Sequence, residues 1–212
     1  MLPSPVTRDL GRTVYQPVWQ AMKVFTDTRD QHTADEFWLT EHDPVYTQGL
    51  NGRKEHLLNT ADIPVVQVDR GGQVTYHGPG QLVIYCLIDL NRLGLGIRQL
   101  VTAIEESLIH LLHEFDIDAH ARKDAPGVYI GEAKIAALGL RVRKGCCYHG
   151  LSLNLDMDLR PFNGINPCGF SNLPVTQLSD HVGEVSLPRI SQQLTTYLIE
   201  MMGFEISDEK IE

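Results

Sequence analysis

Cysteine is scarce in this sequence, and the few cysteines present do not form a known framework. They stand at positions 86, 146, 147 and 168 of 212 residues, and no two of them make a C-x-x-C pair. A disulfide-stapled fold, a zinc knuckle and a thioredoxin-type redox site are therefore not expected. Cys86 lies inside an apolar run, which favours a position in the core.

Long apolar segments are also missing. The longest uninterrupted run covers residues 82–88, far short of the roughly 20 residues that a membrane helix needs. Residues 1–12 contain prolines and charged residues without an apolar centre, so no signal peptide is predicted. These absences predict a soluble, cytoplasmic protein that has no membrane partner.

Positive charge is in short supply. The chain has 18 Lys and Arg against 27 Asp and Glu, a net charge of −9, which argues against a nucleic-acid partner. Hydrophobic residues make up 42% and charged residues 21%, an ordinary globular mixture. Since no repeat, low-complexity tract or Ser/Gly linker divides the chain, we predict one domain over residues 1–212.

Three stretches have the apolar spacing of amphipathic helices. The first opens at Pro17, and its face is predicted to comprise Trp19, Met22 and Phe25 and to continue to Phe37 and Trp38. The second and strongest runs over residues 100–115. The third starts at Pro188, with an apolar side formed by Ile190, Leu194, Leu198 and Met201.

Other stretches have the composition of strands. Residues 45–49 and 65–68 are predicted strands, and residues 73–77 and 82–89 are predicted to form a hairpin around Gly78-Pro79-Gly80. Residues 127–130 and 134–142 are a predicted strand pair, and residues 151–156 alternate as a half-buried strand. Tight turns between neighbouring strands favour an α+β fold in which a mixed or antiparallel sheet is flanked by helices.

A glycine-rich segment, RGGQVTYHGPGQ at residues 70–81, is the first candidate site. Gly71 and Gly72 permit close approach of the backbone to a ligand. Hairpin turns alone would account for the glycines, but not for Arg70, Tyr76 and His77 beside them. The segment is interpreted as a binding loop. It is not a P-loop, because no Gly-Lys-Ser/Thr follows.

Cys168 and Lys134 are the candidate reactive groups. Cys168 stands in the segment Asn166-Pro167-Cys168-Gly169-Phe170. It is either an accessible nucleophile or a structural residue of a turn. Lys134 precedes a small, apolar stretch with room for an alkyl chain. Its ammonium either reaches water or lies beside Cys168 and favours the thiolate. Together these patterns suggest a cysteine-based site that handles acyl groups.

Four segments carry a family resemblance: RGGQVTYHGPGQLVIY, GVYIGEAKIAALGLRV, HGLSLNL and FNGINPCGF. Their order and spacing resemble those of the lipoyl(octanoyl) transferases, which are octanoyl-carrier-protein:protein N-octanoyltransferases of lipoate synthesis. The match covers residues 30–180 or so, and the pairing of TYHGPGQ with NPCG is highly specific.

The resemblance implies a fold similar to the catalytic domains of biotin and lipoate protein ligases. It implies Cys168 as the acyl-thioester nucleophile and Lys134 as the group that lowers the pKa of its thiol. The implied substrate-binding residues are Arg70, Gly71, Gly72, Gln73, Val74, Thr75, Tyr76 and His77, then Ala137, Leu138 and Gly139, then Gly150, Leu151 and Ser152.

The resemblance also implies the partners. Octanoyl-acyl carrier protein would donate the acyl group, and a lysine of a lipoyl domain would accept it, in a 2-oxoacid dehydrogenase E2 subunit or the glycine-cleavage H protein. No cofactor and no metal are implied, and thioester exchange needs no ATP. Because both partners are expected to be acidic, the basic cluster Arg141, Arg143 and Lys144, followed by His149, is a candidate docking patch.

Several points stay open at the level of sequence. Either His77 or neutral Lys134 would deprotonate the acceptor lysine. Backbone N–H groups at residues 168–169 or 137–139 are candidates for holding the oxyanion. The rival functions are an ATP-dependent lipoate or biotin ligase, a cysteine hydrolase that uses Cys168 with His77 or His149, and a non-catalytic module that binds lipoyl domains.

Overall fold

The computed structural model describes residues 2–171 and 173–205, with the exception of the Cys168 side chain. Within these residues the helices are α1 (Tyr15–Thr28), α2 (Leu90–Leu93), α3 (Ile97–His113) and α4 (Leu187–Met201). The strands are β1 (Val6–Thr13), β2 (Glu36–His42), β3 (Val45–Gln48), β4 (Val65–Gln67), β5 (Val74–His77), β6 (Gln81–Asp89), β7 (His120–Ala121), β8 (Gly127–Ile130), β9 (Ala133–Arg143) and β10 (Cys146–Asn154). None of the helices in this part of the chain is long and apolar enough to cross a membrane.

A seven-stranded sheet in the order β1-β2-β6-β10-β9-β8-β7 forms the centre of the fold. β1 and β2 are parallel, and the other neighbours are antiparallel. Along β6, Ile84 and Cys86 belong to the apolar cluster that includes α3 and α4, whereas Val83 and Tyr85 belong to the cluster that includes α1. Burial on both faces explains why this strand is apolar without alternation. The prediction of a mixed sheet flanked by helices is confirmed.

A second sheet of three strands, in the order β4-β3-β5, packs beside the large one. Tyr46 of β3 and Val74 and Tyr76 of β5 form an apolar cluster with Phe162 and Ile165. The segment that leads to Cys168 is therefore anchored on the small sheet.

The predicted hairpin over residues 73–89 is wrong. β5 pairs with β3 in the small sheet, whereas β6 pairs with β2 and β10 in the large one. The carbonyl of Gly80 accepts hydrogen bonds from the N–H groups of Leu155 and Asp156 at 3.1 and 3.0 Å. Gly78-Pro79-Gly80 does turn the chain, but the turn carries it from one sheet to the other.

Three further predictions need correction. Phe37 and Trp38 lie on β2 and not on a continuation of α1. β10 is buried throughout, because helices or the cleft described below cover each of its faces. Met201 is exposed, and Met202 packs into the core instead. The pairing of β8 with β9 and the helices at α3 and α4 are confirmed.

Candidate active site

The three predicted substrate-binding segments meet at one cleft, which both apolar and polar side chains line. The cleft lies on the α1 side of the large sheet and faces the small sheet. The predicted residues that line it are Arg70, Gly72, Gln73, Val74, Thr75, His77, Ala137, Leu138, Gly139, Gly150, Leu151 and Ser152. Two predicted residues lie elsewhere: Tyr76 packs its ring against Tyr46 and Phe162, and Gly71 supports the loop.

Hydrogen bonding between strands fixes the relative positions of these segments. In the pairing of β9 with β10, Ala137 lies opposite Ser152 and Gly139 lies opposite Gly150. The N–H of Gly71 donates to the carbonyl of Leu140 at 2.9 Å, which ties the glycine-rich loop to β9. Stretches that are far apart in the sequence thus form one wall.

Arg70 is a buried structural cation in this wall. Its Nη2 donates to the carbonyl and hydroxyl oxygens of Thr47 at 2.7 and 2.9 Å, and its Nη1 donates to the carbonyl of Gly71 at 2.9 Å. A guanidinium presents several donors in a rigid fork, so it can hold β3 and the loop together at once.

His77 is buried and neutral. Its Nδ1 donates to Oε1 of Gln81 at 2.7 Å, and its Nε2 lies 3.3 Å from the hydroxyl of Thr47. Burial lowers the pKa of His77 to about 3, and nearby His42 and Arg70 act in the same direction. With both ring nitrogens engaged and so low a pKa, His77 is poorly suited to deprotonate an acceptor lysine.

A hydrogen-bonded group that the sequence analysis missed forms another part of the cleft. Tyr15 stacks on His77 with 5.9 Å between ring centres, and Tyr85 hydrogen-bonds to Nε2 of His42 at 2.6 Å. Tyr15 and Tyr85 both line the cleft. Tyr15 reaches the cleft through the packing of α1 against the sheet, and no local motif marks it. Tyr85 reaches the cleft from β6 and is the last residue of the segment RGGQVTYHGPGQLVIY.

An Asp69–His149 pair adjoins this group. Nε2 of His149 lies 2.9 Å from Oδ1 of Asp69. Burial opposes ionisation of Asp69, but hydrogen bonds from His149, Tyr148 and Trp19 outweigh it and lower the pKa of Asp69 well below its usual value. The sequence analysis did not predict Asp69 as a site residue, although it directly precedes Arg70 and the glycine-rich segment.

His149 does not belong to a surface docking patch. It is 1% exposed, and burial lowers its pKa although the bond to Asp69 acts in the opposite direction. Its φ of 61° lies in the left-handed region, a strained conformation for a residue other than glycine. Arg141, Arg143 and Lys144 are exposed, so the predicted patch is reduced to these three residues.

Lys134 is 4% exposed, so its side chain does not reach out to water. Its Nζ donates to the carbonyl of Pro126 at 3.1 Å and lies 5.0 Å from the centre of the Tyr129 ring. The backbone of Lys134 exchanges hydrogen bonds with Pro174 and Thr176 at 2.9 and 3.0 Å. The strand that carries Lys134 is therefore tied to the chain that follows Cys168.

The backbone of Cys168 lies in the 3-10 turn Pro167–Gly169, and its side chain lies outside the described part of the structure. Pro167 and Lys134 line one small cavity. Thr75, Ala137 and Ser152 line both this cavity and the larger cleft, so the two spaces adjoin. The cysteine turn and the lysine thus border the space next to the candidate binding cleft.

The other cysteines are unsuited to act as nucleophiles. Burial raises the pKa of Cys86 to about 12 and that of Cys147 well above its usual value. Burial also raises the pKa of Cys146. All three keep their protons at neutral pH and lie in or near the core. In the described residues, no group of three or more His, Cys, Asp or Glu side chains is arranged to hold a metal ion.

Solved structures with the same architecture define the class of fold. The bi-partite lipoate protein ligase of Thermoplasma acidophilum superposes with a TM-score of 0.76 at 16% identity, covering 100% of this chain and 88% of that chain. The biotin protein ligase of Aquifex aeolicus gives a TM-score of 0.55 at 12% identity, covering 95% of this chain and 70% of that chain. The fold is that of the lipoate and biotin protein ligase catalytic domains.

Sequence similarity narrows this class to a family. The family model of the lipoyl protein ligase A/B catalytic domain matches residues 15–199. An octanoyltransferase of Stutzerimonas stutzeri strain A1501 is 57% identical over 197 residues, which are 93% of this chain and 90% of that protein. The chain belongs to the octanoyltransferase family within the lipoyl protein ligase A/B group.

Proposed function

We propose that this protein transfers an octanoyl group from octanoyl-acyl carrier protein to a lysine of a lipoyl domain, through a thioester on Cys168. The name of its 57% identical relative supports octanoyl transfer. The observation that carries the route is that the Cys168 turn and buried Lys134 border one cavity next to the cleft of the three motif segments.

The first half-reaction is a thioester exchange. An ammonium on Lys134 favours the thiolate of Cys168, which attacks the octanoyl carbonyl. The new carbon–sulfur bond forms as the carrier's carbon–sulfur bond breaks, and the carrier leaves as a thiol with the proton that Cys168 gave up. One thioester replaces another, so no ATP is consumed.

The second half-reaction makes the amide. The acceptor lysine gives up its ammonium proton to a base and attacks the carbonyl of the octanoyl-enzyme as a neutral amine. The carbon–sulfur bond breaks as the amide forms, and the departing Cys168 takes up the second proton that the nitrogen loses. Burial of an eight-carbon chain at about 0.8 kcal/mol per methylene contributes about 5 kcal/mol, which makes an apolar wall an effective length selector. Two half-reactions through one covalent intermediate predict ping-pong kinetics.

The partners follow from this chemistry. One structural neighbour was solved as a lipoate protein ligase together with its E2 lipoyl domain, which supports lipoyl domains as acceptors. We propose the E2 subunits of 2-oxoacid dehydrogenases and the glycine-cleavage H protein, with the acyl carrier protein as donor. We propose the cytoplasm as the location of the reaction.

Intact-mass measurement after mixing with octanoyl-acyl carrier protein tests the proposal. An octanoyl increment is expected in the unmodified protein and in the control Cys146→Ala, and no increment is expected in Cys168→Ala. Addition of a lipoyl domain should discharge the adduct into an amide.

The rival functions predict different products. An ATP-dependent ligase would octanoylate the lipoyl domain from free octanoate and ATP even in Cys168→Ala, and that result would overturn the thioester route. A hydrolase would release free octanoate without forming the amide. A binding module would bind the lipoyl domain and form no adduct.

A further inference from the structure

His56 lies beside the cysteine turn, although no motif in the sequence marks it. It ends the one-turn 3-10 helix Lys54–His56 and is half-buried. Its carbonyl accepts from the N–H of Asn166 at 2.9 Å, and its Nδ1 lies 3.4 Å from Nδ2 of Asn166. Because an amide nitrogen only donates, Nδ1 is the acceptor, and the neutral ring carries its proton on Nε2.

Gln73 approaches the same turn from the glycine-rich loop. A Cβ built on Gly169 would lie 3.0 Å from Nε2 of Gln73 and 3.3 Å from Nε2 of His56. Gly169 has φ +80° and no side chain, which allows both side-chain nitrogens to lie this close to the turn. Oε1 of Gln73 is buried and has no hydrogen-bond partner in the described residues. Two side chains that carry N–H donors thus lie against the residue that follows Cys168.

We propose that His56 and Gln73 form an oxyanion hole made of side chains. Nε2–H of His56 and Nε2–H of Gln73 donate to the carbonyl oxygen of the acyl group on Cys168 as that oxygen becomes negative. The inference rests on the proposed function and assigns a catalytic role to His56 that the motifs do not suggest. These side-chain donors also differ from the backbone N–H donors that the sequence analysis expected at residues 168–169 or 137–139.

An oxyanion donor and a general base leave different kinetic signatures. The carbonyl oxygen becomes negative both when Cys168 attacks the carrier thioester and when the acceptor lysine attacks the octanoyl-enzyme. Removal of the donor therefore slows both half-reactions. A base that serves only the acceptor lysine would slow the second half-reaction alone.

Single-turnover measurements of the two half-reactions test the role of His56. The variants are His56→Ala, which removes the donor, His56→Gln, which offers an amide N–H in its place, and the control His32→Ala at an exposed loop residue. Loss of one oxyanion donor lowers kcat by about 10²–10³-fold. We expect His56→Ala to slow acylation and deacylation by about 100-fold with little change in KM. His56→Gln should recover most of both rates, and His32→Ala should match the unmodified protein.

The alternative outcomes are distinct. Unchanged rates in His56→Ala, or slowing of deacylation alone, would overturn the oxyanion role while the octanoyl adduct still supports the proposed function. Equal impairment of His56→Gln and His56→Ala in both steps would also overturn it. The backbone bond from Asn166 to residue 56 remains in both variants, and thermal denaturation of each checks the fold. If the unmodified protein forms no adduct, the proposed function itself fails and this role fails with it.

Discussion

The effect of burial on charge differs between the cysteines and Lys134. Burial raises the pKa values of Cys86, Cys146 and Cys147, so these thiols stay protonated at neutral pH. Lys134 is buried as well, yet its Nζ has a carbonyl acceptor and an aromatic face within reach. A buried ammonium supported in this way can keep its charge. The turn that carries the fourth cysteine, Cys168, borders the same cavity as Lys134.

Lys134→Met tests this electrostatic role, because it keeps an unbranched side chain and removes the charge. We expect the pKa of the Cys168 thiol to rise by about one unit or more, since one unit corresponds to about 1.4 kcal/mol of lost thiolate stabilisation. The alkylation rate by iodoacetamide at neutral pH should then fall about tenfold. The rate is followed by intact mass across pH, and the three protonated core thiols should contribute little.

Lys123→Met is the matched control, because Lys123 is an exposed lysine. Its pH profile of alkylation should coincide with that of the unmodified protein. A Lys134→Met profile that also coincides would show that the ammonium does not tune the thiol.

Among the elements, β10 has little room for larger side chains. It lies between β6 and β9 and is buried along its length. A Cβ on Gly150 would lie 2.0 Å from the carbonyl oxygen of Ile84 and 3.0 Å from Cα of Tyr85. Both of these are backbone atoms of a central strand, so they cannot turn aside as a flexible side chain would.

Gly150→Ala should therefore destabilise the protein. Overpacking of this kind costs about 1–3 kcal/mol, because the two strands must separate to admit the methyl group. Urea denaturation measures the free energy of unfolding. The control is Gly183→Ala, where a Cβ would meet no atom within 4 Å and the change should stay within about 0.5 kcal/mol. Equal stability of Gly150→Ala and the unmodified protein would contradict the packing of β10 described above.

The elements also show what sequence patterns can and cannot predict. The long helix α3 and the β8–β9 pair were predictable because their signals are local, namely apolar spacing and a turn at Gly131. The hairpin prediction failed because the same Gly-Pro-Gly turn fits both a hairpin and a crossing between sheets. Which of the two forms depends on the partner of β5, and that partner is β3, some thirty positions away.

The residues of the candidate site also fall into those that could be predicted from the sequence and those that could not. The segment at residues 70–77 was marked by glycines beside polar residues, and the family resemblance implied the segments at residues 137–139 and 150–152. The fold brings all three to one cleft. Tyr15 and His56 carry no local mark. Tyr15 reaches the cleft because α1 packs on the sheet, and His56 reaches the cysteine turn through its backbone bond with Asn166. Long-range packing of this kind leaves no pattern in a single sequence.

For the molecule as a whole, the net charge of −9 raises a question about association. Two acidic partners would be repelled by the average surface, so approach needs a local positive region. Arg141, Arg143 and Lys144 are exposed at the end of β9, the strand that also lines the cleft. Arg143 forms an ion pair with Asp27 at 2.9 Å, which offsets part of its charge and leaves Arg141 and Lys144 as the stronger attractors.

The double variant Arg141→Glu/Arg143→Glu tests docking at this patch. We expect a rise of about tenfold in KM for octanoyl-acyl carrier protein at low salt, because steering by charge changes association more than it changes chemistry. The difference should shrink as ionic strength rises, since salt screens exposed charges. The control Arg98→Glu/Arg189→Glu carries the same change of net charge at exposed residues of α3 and α4, on the opposite face of the sheet. If both double variants raise KM equally, net charge and not a local patch governs approach; if neither does, the carrier docks elsewhere.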